Sequence, residues 1–171
     1  PAAFFGITDF PVARLLAERY ALPVRVANDM NAAALAEKLF GGGRELDNFL
    51  YVGISNGIGA GIISGGRLYQ DTSGYSGEIG HMCINFDGPV CTCGNRGCLE
   101  TYANMPVLLA RLRQAAGRTV GTADFAALQD DPACEAVFRD TADKLTVALV
   151  NAANLFDPQC IFLGHDAALL P

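Results

Sequence analysis

Basic residues are scarce in this chain: 12 Lys and Arg stand against 18 Asp and Glu, a net charge of −6. A chain with that balance does not itself hold nucleic acid or an anionic membrane surface, although a basic domain elsewhere on a longer protein is compatible with it. No apolar run approaches the roughly 18–20 residues of a spanning helix, so no membrane partner is expected. The start, Pro1-Ala2-Ala3, lacks Met, and no basic n-region, apolar h-region and cleavage site can be read there. An excised piece of a soluble, cytoplasmic protein is the expectation. Internal repeats and low-complexity tracts are absent as well. The hydrophobic fraction is 51% and the charged fraction 18%, a composition that excludes disorder and supplies a real core. The 171 residues suit one ordinary domain or part of a larger one.

The order of elements is α/β. Asp9 to Tyr20 reads as a short helix with Pro11 near its first turn. Leu22 to Val26 reads as a short strand, with Pro23 tolerable at its start. An alanine-rich helix follows from Met30 to Phe40 and stops at Gly41-Gly42-Gly43. Phe49 to Ile54 and Ile58 to Ser64 are apolar runs split by Asn56-Gly57, a signal for a hairpin with a type I′ turn. Gly65-Gly66 makes a second turn before Arg67-Leu68-Tyr69. Gln70 to Cys98 is too rich in Gly, Asp, Ser, Asn and Pro, and too long, for an ordinary connector, so a functional or metal-organised loop is expected. Leu99 to Ala116 reads as one helix stopped by Gly117, and Ala123 to Gln129 as a short one after Thr122. Asp131 to Phe156 reads as a long helix on which Val137, Leu145, Ala148, Leu149, Ala152 and Leu155 recur at three- and four-residue steps. Asp157-Pro158 ends it, and Cys160 to Gly164 reads as a buried strand.

There are six cysteines. A core this apolar does not need disulfide staples. Four of them, Cys83, Cys91, Cys93 and Cys98, lie within sixteen residues of one another and beside His81. The pattern His81-x9-Cys91-x-Cys93-x4-Cys98 offers one imidazole and three thiolates, a closed tetrahedral shell suited to structural zinc rather than to a catalytic ion with an open position. Gly94 and Gly97 let the chain fold tightly around such an ion. Free buried thiols beside a coincidental histidine are the alternative, and Cys83 is a rival fourth ligand. Cys134 and Cys160 fall in the helix and strand readings as core residues.

Three further features carry less on their own. Asn28-Asp29 stands at a strand-to-helix junction, where α/β ligand sites gather and a carboxylate could take a proton from a hydroxyl. A helix cap accounts for the same residues. Gly57-Ile58-Gly59-Ala60-Gly61 could bring backbone N–H groups against a phosphate. It is neither a Walker A nor a Rossmann loop, and hairpin geometry explains it without a ligand. Glu78 and Glu100 flank the cysteine cluster, either as acceptors for vicinal sugar hydroxyls or as surface carboxylates.

Taken together, these residues resemble the ROK family (repressors, open reading frames and sugar kinases). The matching stretches are 26–37 around Asn28-Asp29, the Gly57 to Gly61 run, Gly77-Glu78-Ile79-Gly80-His81, and Cys91-Thr92-Cys93-Gly94-Asn95-Arg96-Gly97-Cys98-Leu99-Glu100. Glu-x-Gly-His and Cys-x-Cys-Gly-x-x-Gly-Cys-x-Glu are highly specific to that family. The resemblance implies a ribonuclease H-like, actin-type ATPase fold of two lobes with a sugar in the cleft. On that basis 1–40 would be the end of the first lobe. Residues 41–171 would be the second lobe, with a zinc-binding loop at 78–100 and its C-terminal helices missing. The resemblance assigns Asn28, Asp29, Glu78, His81 and Glu100 to sugar contacts and His81, Cys91, Cys93 and Cys98 to structural zinc. His81 would serve both, zinc on one ring nitrogen fixing the other toward the sugar.

In the kinase branch, as the resemblance implies, Asp29 is the catalytic base and Gly57, Gly59 and Gly61 form a phosphate loop for ATP with magnesium. This chain departs from that branch twice. Kinases usually read Gly-Thr-Gly where Ser55-Asn56-Gly57 stands, and Gly-Gly where Gly164-His165-Asp166 stands. Both changes look like those of the family's transcriptional regulators, which keep the sugar site and lose ATP binding. The expectation is therefore a sugar-binding effector module of a ROK-type regulator, taking a sugar or sugar phosphate. DNA would be bound only through a preceding winged helix-turn-helix domain, and the family suggests a homodimer or tetramer. The alternative is an ATP-dependent sugar kinase of glucokinase or N-acetylmannosamine kinase type.

Overall fold

The computed structural model describes residues 10–69 and 75–171. Asp9, where the first helix is expected to begin, and the Gln70 end of the long loop lie outside the described residues. Helix α1 spans Val12–Tyr20 and buries no residue. Leu22 to Val26 forms no strand. A strand needs a partner for its N–H and C=O groups, and no described strand runs beside it. Leu22 and Val26 are accordingly 62% and 67% exposed.

The frame is a mixed sheet of β1 (Phe49–Ile54), β2 (Ile58–Ser64), β3 (Arg67–Leu68) and β4 (Cys160–His165), in the order β3-β2-β1-β4. β2 pairs antiparallel with both β1 and β3, while β4 lies parallel to β1 with Ile54 opposite His165. The β1–β2 hairpin closes with Ile54 opposite Ile58, leaving a three-residue turn. Neither Asn56 nor Gly57 has positive φ, so the type I′ turn expected there does not form. Instead the Ser55 N–H donates to Gly57 O at 2.9 Å, and the Ser55 carbonyl accepts from Met105 N at 2.9 Å. Two consecutive residues with positive φ, as type I′ geometry requires, occur at Gly65 and Gly66, with φ of 58° and 75°.

Side chains alternate across the sheet. Leu50, Val52, Ile54, Ile58, Ala60 and Ile62 form one core with Leu145, Ala148 and Ala152 of helix α6 (Pro132–Phe156). Phe49 and Ile63 face the other way, against Ala34 of helix α2 (Asp29–Phe40). Gly53, Gly59 and Gly61 share this second face. A Cβ at Gly61 would collide with the Met30 carbonyl oxygen and stand 2.6 Å from Ala34 Cβ. Gly59 and Gly61 thus lie inside β2, where the missing side chains let α2 lie close to the sheet, and only Gly57 of the proposed phosphate loop is in the turn. Gly61→Ala should overpack this contact and lower stability by about 2 kcal/mol, read as a shift in urea midpoint at unchanged slope.

Asp131 starts α6 by accepting from the N–H groups of Ala133 and Cys134, and Asp157, with φ of 44°, ends it. Of the residues expected on its apolar stripe, Leu155 is instead 73% exposed. The helix expected from Leu99 to Ala116 is two helices, α3 (Glu100–Ala103) and α4 (Met105–Ala116). Pro106 has no N–H to continue the first, and the Asn104 side chain caps the second through Val107 N at 3.0 Å. Helix α4 packs with α5 (Phe125–Leu128) and the start of α6 in a second core around Leu108, Leu112, Phe125 and Cys134. Cys134 is fully buried there, as expected, while Cys160 is only partly covered. Among the described residues no helix is long and apolar enough to cross a membrane.

Candidate metal centre and its flanking carboxylates

The loop leading into the cysteine cluster is fastened to β2. The Ala60 N–H donates to Gly77 O at 2.7 Å. At Gly77, with φ of 82°, any Cβ would collide with the Ala60 carbonyl. Gly80 presses on the Ile58 carbonyl in the same way. These contacts hold the 3-10 turn Ile79–His81 against the sheet and so fix where His81 starts. Cys91 and Cys93 sit in a tight turn closed by Cys91 N–H to Asn95 O at 2.8 Å and Gly94 N–H to Cys91 O at 3.0 Å. Cys98 lies on a short antiparallel bridge opposite Cys83, directly before α3.

This folding brings His81, Cys91, Cys93 and Cys98 together, with their ligand atoms all within 4.8 Å of one another. Zn–S bonds of about 2.3 Å and Zn–N bonds of about 2.0–2.1 Å give tetrahedral edges of about 3.8 Å between sulfurs and about 3.6 Å between sulfur and nitrogen. Cys93 Sγ is 3.7 Å from Cys98 Sγ, and Cys91 Sγ is 3.6 Å from His81 Nδ1. The donor set and both edges fit a tetrahedral, thiolate-rich metal site. Cys83 is exposed and outside the quartet, which leaves His81 as the fourth donor. Burial pushes the Cys98 thiol up to about 12 and raises Cys91 as well. Exposed Cys93 is lowered, chiefly by a backbone hydrogen bond at Asn95. Both upward shifts, at Cys98 and Cys91, favour the protonated thiol, so a cation held here would have to displace protons from these two sulfurs.

The carboxylates lie on two sides of His81. Glu100 Oε1 is 3.1 Å from Cys91 Sγ and 3.6 Å from His81 Nδ1. Its other oxygen reaches to 3.6 Å from where a Gly57 side chain would start. Glu100 thus bridges the cysteine cluster and the β1–β2 turn. Glu78 Oε2 stands 3.9 Å from His81 Nε2, beyond direct hydrogen-bond range. With Nδ1 facing the thiols, Nε2 is the nitrogen left for a ligand.

Asn28 and Asp29 stand on a different element from this group, at the start of α2. Asn28 Oδ1 accepts from Asn31 N at 3.0 Å, which is the helix-cap reading realised. Asp29 Oδ1 accepts from Met30 N at 3.0 Å, and both side chains are exposed. The Met30 side chain lies against Gly59, within 4.0 Å of whose missing Cβ the Gly77 carbonyl also stands. Asp29 and Glu78 are thus each one residue from groups that meet over β2.

His165 is absent from the residues singled out as ligand contacts. It ends β4 beside the end of β1, and ligands gather at the carboxyl ends of parallel strands. Its φ of 56° and ψ of −137° are glycine-like and costly for histidine. Its Nδ1 is 3.3 Å from the Tyr51 hydroxyl, and a Cβ at Gly53 would lie 2.8 Å from the same nitrogen. The sequence signal for it was the departure Gly164-His165-Asp166.

The family profile for the ROK family matches residues 2–168. The chain belongs to the ROK family. It is 41% identical over 161 residues to the xylose repressor of Bacillus subtilis, covering 92% of this chain and 41% of that protein. The crystal structure of a ROK transcriptional regulator, a homologue of the Escherichia coli MLC protein, superposes with a TM-score of 0.83 at 34% identity over 95% of this chain and 44% of that one. A ROK glucokinase from Streptomyces griseus, solved with glucose and AMPPNP, superposes with a TM-score of 0.79 at 34% identity, covering 90% of this chain and 55% of that one. The fold is therefore part of the actin-type α/β architecture shared by ROK kinases and regulators. This ROK chain spans about half the length, or less, of the relatives it matches.

Proposed function

We propose that this ROK chain is the sugar-sensing effector module of a transcriptional regulator. Residues 1–40 belong to the end of a first lobe, with α2 laid onto the sheet of a second lobe formed by 41–171. The carrying observation is the arrangement around His81, whose Nδ1 faces the cysteine cluster while Nε2 stays open between the cluster and Glu78. Zinc held by His81, Cys91, Cys93 and Cys98 would fix the imidazole so that Nε2–H donates to a sugar hydroxyl. Glu78 and Glu100 accept from hydroxyls on either side, and Asn28 and Asp29 contribute from the start of α2. Closure of the lobes on the sugar alters DNA binding through a domain outside this chain, a coupling between two sites. The Bacillus subtilis relative is a xylose repressor, which makes xylose the first ligand to test.

Calorimetric titration of the full-length protein with pentoses, hexoses, amino sugars and their phosphates is expected to show one sugar bound in the micromolar to millimolar range, about −8 to −4 kcal/mol. A flat titration across the panel would sink the sensor reading. The glucokinase relative supports a second reading, an ATP- and magnesium-dependent sugar kinase with Asp29 as general base and Gly57 at the phosphates. His165 and Ser55-Asn56-Gly57 weigh against it. A coupled assay is expected to show no sugar-dependent ATP turnover; turnover that Asp29→Ala abolishes would replace the sensor with the kinase.

A further inference from the structure

Cys83 stands next to the proposed zinc shell without belonging to it. The short bridge that carries Cys98 pairs it directly with Cys83. The two flanking hydrogen bonds are Ile84 N to Gly97 O and Leu99 N to Met82 O, both 2.9 Å. Because these bonds lie on either side of the pair, Cys83 and Cys98 occupy a non-hydrogen-bonded antiparallel position. Side chains at such a position share one face, and their Cα atoms approach to about 4.5 Å, inside the roughly 4.4–6.8 Å that a disulfide spans. The two thiols differ sharply in access: Cys83 is exposed and Cys98 is fully buried. Gly97 holds the bridge closed, since any side chain there would collide with the Asn85 carbonyl.

We infer that Cys83 is an oxidation site that releases the metal by forming a disulfide with Cys98. The oxidant is a hydroperoxide. Its distal oxygen transfers to the Cys83 sulfur, giving a sulfenic acid, while the remaining oxygen leaves as water or an alcohol. The Cys98 thiolate then attacks the Cys83 sulfur; the S–O bond breaks, hydroxide leaves and takes a proton as water, and the S–S bond forms. The two electrons lost by the sulfur pair equal those taken up by the peroxide. The metal keeps three of its four ligands and dissociates, so the link that orients His81 toward its ligand is lost. A dithiol returns both electrons and restores the shell. This inference rests on the zinc reading of the quartet, but the disulfide itself is observable without metal.

The test uses the full-length protein loaded with zinc, its metal content measured before oxidation. Hydrogen peroxide is added, zinc release is followed with a chromophoric chelator, and the disulfide is mapped by peptide mass spectrometry. Expected are a Cys83–Cys98 link, zinc release in step with it, reversal by dithiothreitol, and release slowed about tenfold in Cys83→Ser but unchanged in Cys160→Ser. Release at the same rate in Cys83→Ser, or a map showing Cys93–Cys98 as the main link, would overturn the inference. A Cys83–Cys98 link in protein that held no zinc beforehand would keep the thiol pairing and overturn the metal-release step together with the zinc reading.

Discussion

Cys98→Ser in the full-length protein is expected to lower zinc from about one equivalent to a small fraction and to unfold the lobe about 10 °C earlier. Cys98 is fully buried, lies on the bridge to Cys83 just before α3, and supplies one corner of the tetrahedron. A bound metal adds stability by mass action, about 4 kcal/mol at a thousandfold excess over its dissociation constant, and a metal on three ligands is held far more weakly. Chelation of the unaltered protein should give a similar shift, because the serine changes little else. Cys160→Ser, outside the cluster, should leave zinc content untouched. Metal content near zero in the unaltered protein would leave the quartet as thiols only.

The same cluster sets opposite pH responses with and without metal. Burial raises the Cys98 thiol from its ordinary 9.0 to about 12. In the metal-free fold the protonated thiol is favoured, so its contribution to stability is complete below about pH 9 and is lost as pH rises toward 12. With metal bound the thiolates are required. Protons compete for them, and zinc affinity falls as the solution is acidified. Thermal melts across pH should therefore show the stabilisation by zinc growing from acid toward neutral pH, while the Cys98 contribution in chelated protein is lost on the alkaline side.

Much of the site was legible because its spacing is local. His81-x9-Cys91-x-Cys93-x4-Cys98 names the quartet without any knowledge of the sheet, and the structure brings those four atoms together. The apolar runs of β1 and β2 fixed both strands to the residue, since each is bounded by turn signals. What failed depended on partners distant in sequence. Leu22 to Val26 has strand-like composition, but among the described residues no strand lies alongside to pair with it. For Gly59 and Gly61 the sequence offered a phosphate cradle or hairpin geometry, and the close approach of α2, twenty-odd residues earlier, is invisible in a hairpin pattern. The reading of Leu99 to Ala116 as one helix ran straight through Asn104 and Pro106, whose cap and missing N–H were the stronger signal. Turn geometry was misplaced for a related reason: the α3–α4 junction grips Ser55 and Asn56 from outside, so that hairpin does not need the primed turn its sequence favours.

Glu100→Gln is expected to weaken sugar affinity about 100-fold, close to 3 kcal/mol, while leaving zinc content near one equivalent. The carboxylate is only 17% exposed and is placed between Cys91, His81 and the β1–β2 turn, so it has two conceivable duties. As a hydroxyl acceptor it would lose two charge-assisted bonds to the sugar on becoming an amide, while the amide fills the same volume. As a support for the metal shell it would instead change how tightly Cys91 and His81 hold the ion, since partners outside the shell commonly alter metal affinity by about 10–100-fold. Titrating the purified variant with the cognate sugar and measuring its metal by elemental analysis separates the two. Unchanged sugar affinity with reduced zinc would assign Glu100 to the metal and remove it from the sugar site. Glu78→Gln should give the milder loss, because Glu78 is 44% exposed and 3.9 Å from His81 Nε2, where water can substitute for part of the contact.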